Sequence, residues 1–143
     1  MHKEIHLYPG AMEVLSSLKK HGFKLGLLSD SDGIPGLKAQ RIKELKIDSF
    51  FDFILTSDQT GENKPSPKGF TAVLQNFSVH PSQIIMVGDH PEFDLQPAKR
   101  LGMTTVWTQE RIMLDRTFPF VDYKIKKITE LLPLVEALAH RKQ

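Results

Sequence analysis

The chain has 143 residues, 40% of them hydrophobic and 25% charged, with a formal net charge of +2. That length suits one domain with a single core, and the charge is too small to imply nucleic-acid binding. No apolar run approaches a membrane span, no charged-then-apolar leader is visible, and the lack of cysteine removes disulfides, thiolate zinc sites and cysteine nucleophiles and points to the cytoplasm.

Pro9-Gly10 precedes the first predicted helix, residues 11–21, which sets Ala11, Val14, Leu15 and Leu18 on one stripe and is followed by Gly22 as a C-terminal cap. Lys24-Leu25-Gly26-Leu27-Leu28 then reads as a strand that runs into Ser29-Asp30-Ser31-Asp32-Gly33. A weaker helix over 36–46 is carried by Leu37, Ile42 and Leu45, and Phe53-Ile54-Leu55-Thr56 is the second strand. The segment Gly61-Glu62-Asn63-Lys64-Pro65-Ser66-Pro67 leads into a helix over 67–77, with Phe70, Val73, Leu74 and Phe77 inward. Residues 84–87 (Ile-Ile-Met-Val) form a third strand, followed by Gly88-Asp89 and, five positions after Asp89, Asp94. A short helix should begin near Asp94 and end at Gly102, with Pro97 in its first turn, where a missing N–H is tolerated. Residues 104–107 are the fourth strand and Tyr123-Lys124-Ile125 a short edge strand; Lys124, Lys126 and Lys127 read as a solvated edge. Ile128, Leu131, Leu132, Val135 and Leu138 define the last helix, in which Pro133 marks a restart after one tight turn. Strand–helix alternation of this kind predicts an α/β fold with a mostly parallel sheet covered on both faces.

Three strand ends bear polar residues, and ligands of such folds bind at strand ends. Ser29 offers a hydroxyl beside turn N–H groups, which suits a phosphate oxygen. Lys64, stiffened by Pro65 and Pro67, can be aimed as a fixed positive charge. Asp89 follows a glycine at the end of an apolar strand, where a carboxylate can meet a hard cation. A hydroxyl, a lysine and an acid together make a phosphate-plus-Mg²⁺ site. Each has a plainer role: Asp89 and Asp94 as caps of a short helix, Lys64 as a loop lysine, Asp32 and Gly33 as turn residues, His90 as a loop histidine, Trp107 as core or cleft wall.

Taken in order, these segments resemble motifs II, III and IV of the haloacid dehalogenase (HAD) superfamily of phosphohydrolases. Leu27-Leu28-Ser29-Asp30 resembles the second motif, although asparagine is commoner than Asp30 there. Lys64-Pro65-Ser66-Pro67 resembles the third, and Gly88-Asp89 with Asp94 the fourth, with residues 98–107 as its continuation. Leu7-Tyr8-Pro9-Gly10 is similar to the re-entry from the family's cap domain into its core, so the likeness spans about residues 7–135. The resemblance implies a Rossmann-like three-layer α/β/α core with Mg²⁺ as cofactor. It implies a small phosphorylated substrate with no nucleic acid or membrane partner. Ser29 and the backbone around Asp30 would bind phosphoryl oxygens, and Lys64 would neutralise charge developing on the phosphoryl group. Asp89 would coordinate the metal; Asp94 would orient Lys64 or a metal-bound water.

The family's first motif, an Asp-x-Asp whose first acid attacks phosphorus, has no counterpart in Met-His-Lys-Glu-Ile-His-Leu-Tyr, residues 1–8. The cap domain is likewise absent. The expectation is a single core domain over residues 1–143 without the family's first strand and cap, inactive by itself. Asp30-Ser31-Asp32-Gly33 also matches Asp-x-Asp-Gly, which would make Asp30 the nucleophile. That register, however, leaves Ser29 idle and no second motif before Lys64. In the family the first strand lies at the sheet centre, between the strands ending at Ser29 and Gly88. With strands roughly 4.8 Å apart its loss opens a gap of about 10 Å. The two strands could close and pair, residues 3–8 could insert, or a separate polypeptide carrying the nucleophile strand could complete the sheet. Otherwise the open edges favour self-association. The competing reading is a non-catalytic HAD-like module that binds phosphate or a partner through the same cleft. A response-regulator receiver shares the fold but wants an acidic pair after its first strand and a lysine after its last, neither of which is found.

Overall fold

The computed structural model describes residues 9–30, 36–111 and 113–141. Six helices, α1 (Ala11–Lys20), α2 (Leu37–Glu44), α3 (Ser57–Thr60), α4 (Pro67–Phe77), α5 (Gln96–Arg100) and α6 (Leu131–Arg141), alternate with five strands, β1 (Gly26–Ser29), β2 (Phe53–Thr56), β3 (Ile85–Gly88), β4 (Thr104–Thr108) and β5 (Tyr123–Ile125). Every strand pair is parallel. This is the α/β class that the alternation predicts, and no helix among the described residues is long and apolar enough to cross a membrane.

Among the described residues the strands do not form one continuous sheet. β1 pairs with β2, β3 with β4, and β4 with β5, giving a two-stranded and a three-stranded sheet in which β1 and β3 are not hydrogen-bonded neighbours. Direct closure of the gap, one of the three expected outcomes, is therefore overturned. Insertion of residues 3–8 lies outside the described residues, as do Ser31, Asp32 and Gly33. Burial follows the broken order. The central strand β4 is buried at four of its five positions despite its three threonines, whereas the more apolar β3 is only half-buried throughout, and β1 is exposed at Gly26 and half-buried beyond it.

Two helical layers tie the halves together. On one face Val14 and Leu18 of α1 and Leu131 and Val135 of α6 pack with Val106 and Ile125, and with the half-buried Leu25, Ile85 and Val87. On the other, Phe70 and Val73 of α4 and Ala98 of α5 pack with Ile84 and Met103, joined by Leu28, Phe53, Leu55 and Met86. Successive strand side chains point to opposite faces, so Ile85 and Val87 serve one layer and Met86 the other.

Local chemistry shifts several boundaries. β1 starts at Gly26 rather than Lys24 because Leu25 spends its backbone on Asp52: its N–H donates to the Asp52 carboxylate at 2.7 Å and its carbonyl accepts the Asp52 N–H at 2.7 Å. The short helix α3 follows from a capping box in Thr56-Ser57-Asp58-Gln59, the Thr56 N–H donating to Gln59 Oε1 at 3.2 Å. The predicted tight turn before the last helix is a 3₁₀ turn at Ile128–Glu130, after which α6 starts and carries Pro133 in its first turn. Between β3 and α5 the chain makes a single π-helical turn, Pro91–Leu95, where the sequence suggested only the approach to a helix.

Candidate active site

The C-terminal ends of β1 and β3 flank the break between the two sheets, and the predicted site residues collect there. Ser29 is the last residue of β1, opposite Thr56 in the register, and Asp30 follows it. The Asp30 carboxylate accepts the backbone N–H of Lys64 at 2.9 Å. That bond reaches across thirty-four residues of sequence and joins the end of β1 to the loop before α4.

The Lys64 loop is held from both sides. The Ser66 N–H donates to the Asn63 carbonyl at 3.1 Å, and the Ser66 hydroxyl caps α4 by accepting the Lys68 N–H. Pro67 stands at the first helical position, where its missing N–H costs nothing. The Lys64 ammonium then reaches Asp94 Oδ1 at 2.7 Å, with the two side chains only 20% and 10% exposed. A charge-assisted bond in such partial burial fixes where the ammonium sits.

Asp94 is itself positioned by the π turn. Its N–H donates to the His90 carbonyl at 2.8 Å, and its Oδ2 accepts the His90 N–H at 3.1 Å. The carboxylate thus uses one oxygen for Lys64 and the other for backbone. Gly88 makes room for it: a Cβ there would lie 2.5 to 2.8 Å from the Asp94 Cβ, Oδ2 and Cγ atoms. His90 stays exposed, its Nδ1 accepting the Phe93 N–H at 3.2 Å and its ring stacked on Phe93 at 4.2 Å.

Asp89, one residue past β3, keeps its side chain 28% exposed, with the guanidinium of Arg111 at 3.8 Å. Arg111 follows β4, and its approach to Asp89 crosses from one strand end to the next; only the fold could reveal it. Trp107 is buried in the core, edge-on to Phe118, with its Nε1 unpartnered, and Lys124 Nζ lies over its ring at 5.5 Å. At the end of β2, the Asp58 carboxyl is held below its usual value of 3.8, first by the Thr56 hydroxyl and then by the Gly36 N–H.

Among the described residues no three His, Cys, Asp or Glu side chains cluster to hold a metal ion. Mg²⁺ commonly takes one or two protein carboxylates and completes its shell with water and substrate phosphate oxygens. Asp89 fits as one such ligand; Asp94, with both oxygens engaged, fits as the acid that holds Lys64. The ensemble is a hydroxyl, a fixed ammonium and an accessible carboxylate at the ends of parallel strands, the donor set for handling a phosphate beside a hard cation.

Comparison with known proteins agrees with this class. The family model for haloacid dehalogenase-like hydrolases matches residues 1–108, and the chain belongs to that family. It is 38% identical over 130 residues to a glyceraldehyde 3-phosphate phosphatase of Pyrococcus furiosus, covering 91% of this chain and 53% of that protein. It is 30% identical over 132 residues to a phosphoserine phosphatase of Thermus thermophilus, covering 92% and 52%. Among solved structures, a HAD phosphatase from Thermococcus onnurineus superposes with a TM-score of 0.79 at 31% identity, covering 91% of this chain and 58% of that one. The chain thus spans about half the length of the curated relatives it matches.

Proposed function

We propose that the chain is the lysine- and metal-acid-bearing part of a Mg²⁺-dependent phosphohydrolase acting on small phosphate esters. It is one core domain over residues 1–143, without the family's first strand and cap, working in the cytoplasm and inactive until a nucleophile-bearing segment completes it. Ser29 and the backbone at Asp30 bind phosphoryl oxygens. Lys64 neutralises charge that develops on the phosphoryl group. Asp94 holds Lys64 in place, and Asp89 is a direct ligand of the cation, which when bound would neutralise phosphate charge and orient the ester. The relatives named for glyceraldehyde 3-phosphate and phosphoserine support small phosphorylated metabolites as the substrate class.

One observation carries the reading: Lys64 is pinned by its backbone N–H to Asp30 after β1 and by its ammonium to Asp94 after β3, so a single residue bridges the break between the sheets. A polypeptide that pairs with β1 and β3 would end beside it, and self-association through the same edges is the alternative fate of the chain alone.

The test is phosphate release from glyceraldehyde 3-phosphate and phosphoserine with Mg²⁺. The chain is assayed alone and after mixing with a polypeptide whose apolar strand ends in Asp-x-Asp. Turnover only in the mixture, lost with Lys64→Met, is the expected result. Robust turnover by the chain alone, abolished by Asp30→Asn and tolerant of Ser29→Ala, would overturn it in favour of Asp30 as nucleophile. Phosphate-dependent stabilisation with no turnover in either case would make the chain a binding module.

A further inference from the structure

Among the described residues, Arg111 is a site-facing cation that the functional reading leaves without a role. Its guanidinium lies 3.8 Å from Asp89 Oδ2, and its own side chain is 65% exposed. The backbone that carries it is anchored just upstream. Gln109, buried, donates from Nε2 to the Leu114 carbonyl at 3.0 Å, and the Glu110 carboxylate accepts the Ile128 N–H at 2.7 Å. Arg111 therefore starts from a fixed point, three residues past the end of β4. β4 is the register neighbour of the strand that delivers Asp89, with Gly88 opposite Trp107.

We propose that Arg111 is a built-in competitor for the divalent cation at Asp89. In the cation-free chain the guanidinium sits in the field of that carboxylate. A Mg²⁺ or Mn²⁺ ion held by the same half-buried carboxylate meets the guanidinium's like charge close by, so the ion binds more tightly when that charge is gone. The pair is loose and solvated, so its effect is modest. Arg111 is thus a positioning residue that sets how readily Asp89 accepts a metal, and the inference rests on the reading of Asp89 as a cation ligand.

The experiment uses the whole chain and Mn²⁺ alone, following paramagnetic broadening of the Gly88 and His90 amide signals during titration. Arg111→Gln is expected to lower the Mn²⁺ midpoint about two- to five-fold, the range an exposed ion pair supports. Arg111→Lys, which keeps the charge, should return the midpoint toward that of the unaltered chain; a purely structural role would not follow charge in this way. An unchanged or raised midpoint in Arg111→Gln overturns the proposal. Asp89→Asn separates the two failures. If it abolishes broadening while Arg111→Gln changes nothing, only the competitor role falls. If broadening is absent, or survives Asp89→Asn, the reading of Asp89 as a metal ligand of the chain alone falls, and the competitor role with it.

Discussion

Removing the Asp94 carboxylate is expected to destabilise the chain more than any other single change at the site. Asp94→Ala deletes a 2.7 Å bond to Lys64 and the acceptor of the His90 N–H at 3.1 Å. Breaking a well-buried ion pair by removing one partner costs about 3–5 kcal/mol, chiefly because the other charge is stranded. Lys64 remains 20% exposed and can recover part of its hydration, which brings the expected loss to about 2–4 kcal/mol. Asp94→Asn should cost less, since an amide oxygen still accepts the His90 N–H. The assay is urea unfolding, reading the shift in midpoint at constant m-value. A double-mutant cycle with Lys64→Met should return a coupling of about 1.5–3 kcal/mol. Alanine and asparagine variants both within about 0.5 kcal/mol of the parent, the range of ordinary surface changes, would refute the reasoning. So would a coupling energy near zero.

Gly88→Ala pushes a methyl group into the Asp94 carboxylate. It should cost about 1–3 kcal/mol by overpacking and shift the Lys64 side-chain signals; unchanged signals with unchanged stability would count against the close approach. The Asp52 carboxyl is held below 3.8, first by the Leu25 N–H and next by Lys19. A group depressed in the folded state stabilises above its unfolded value and loses that contribution as pH falls through the folded one. The stability gap between the parent and Asp52→Asn should therefore be present at neutral pH and close progressively below about pH 4; a gap that does not change across that range would refute this. Among the described residues β1 and β3 each pair on one side only, so the melting temperature of the chain alone should depend on protein concentration. A monomer with a sharp, reversible, concentration-independent transition would exclude association through those edges.

Periodicity was enough to find α1, α4, β2 and the strand order along the chain, because each buries an apolar stripe or run against a helical layer. Lys64 and Asp94 are legible as well, since a lysine just ahead of two spaced prolines and an acid after Gly-Asp are local signals. α3 carries a readable signal too, the Thr56-to-Gln59 capping box, which is easily passed over in so short a segment. The Asp30–Lys64 bond and the Arg111–Asp89 approach had no local signature. Each joins residues separated by a strand or a helix, and only the stacking of strand ends creates it. The π turn at Pro91–Leu95 belongs with these, for it depends on the Gln96 N–H reaching back five residues to the Pro91 carbonyl.

The break between the sheets and the site's chemistry lie at the same place. β3 has apolar side chains for both helical layers and yet is half-buried along its whole length, while β4 beside it is buried. Among the described residues β4 pairs on both edges and β3 on one, and burial follows that order. Ser29 and Asp89 stand at the ends of the two strands that flank this opening, with Lys64 spanning it. A parallel strand that entered would bury the half-exposed faces of β1 and β3 and bring its last residues between a hydroxyl and a carboxylate. On the proposed reading, completing the core and completing the donor set call for the same segment, and the two are separable by experiment. A complementing strand ending in Asn-x-Asn should raise the melting temperature without phosphate release, and its Asp-x-Asp counterpart should do both. If the Asp-x-Asp strand yielded turnover with no stabilisation, the acids would be reaching the site from outside the sheet, and the opening between β1 and β3 would not be their route.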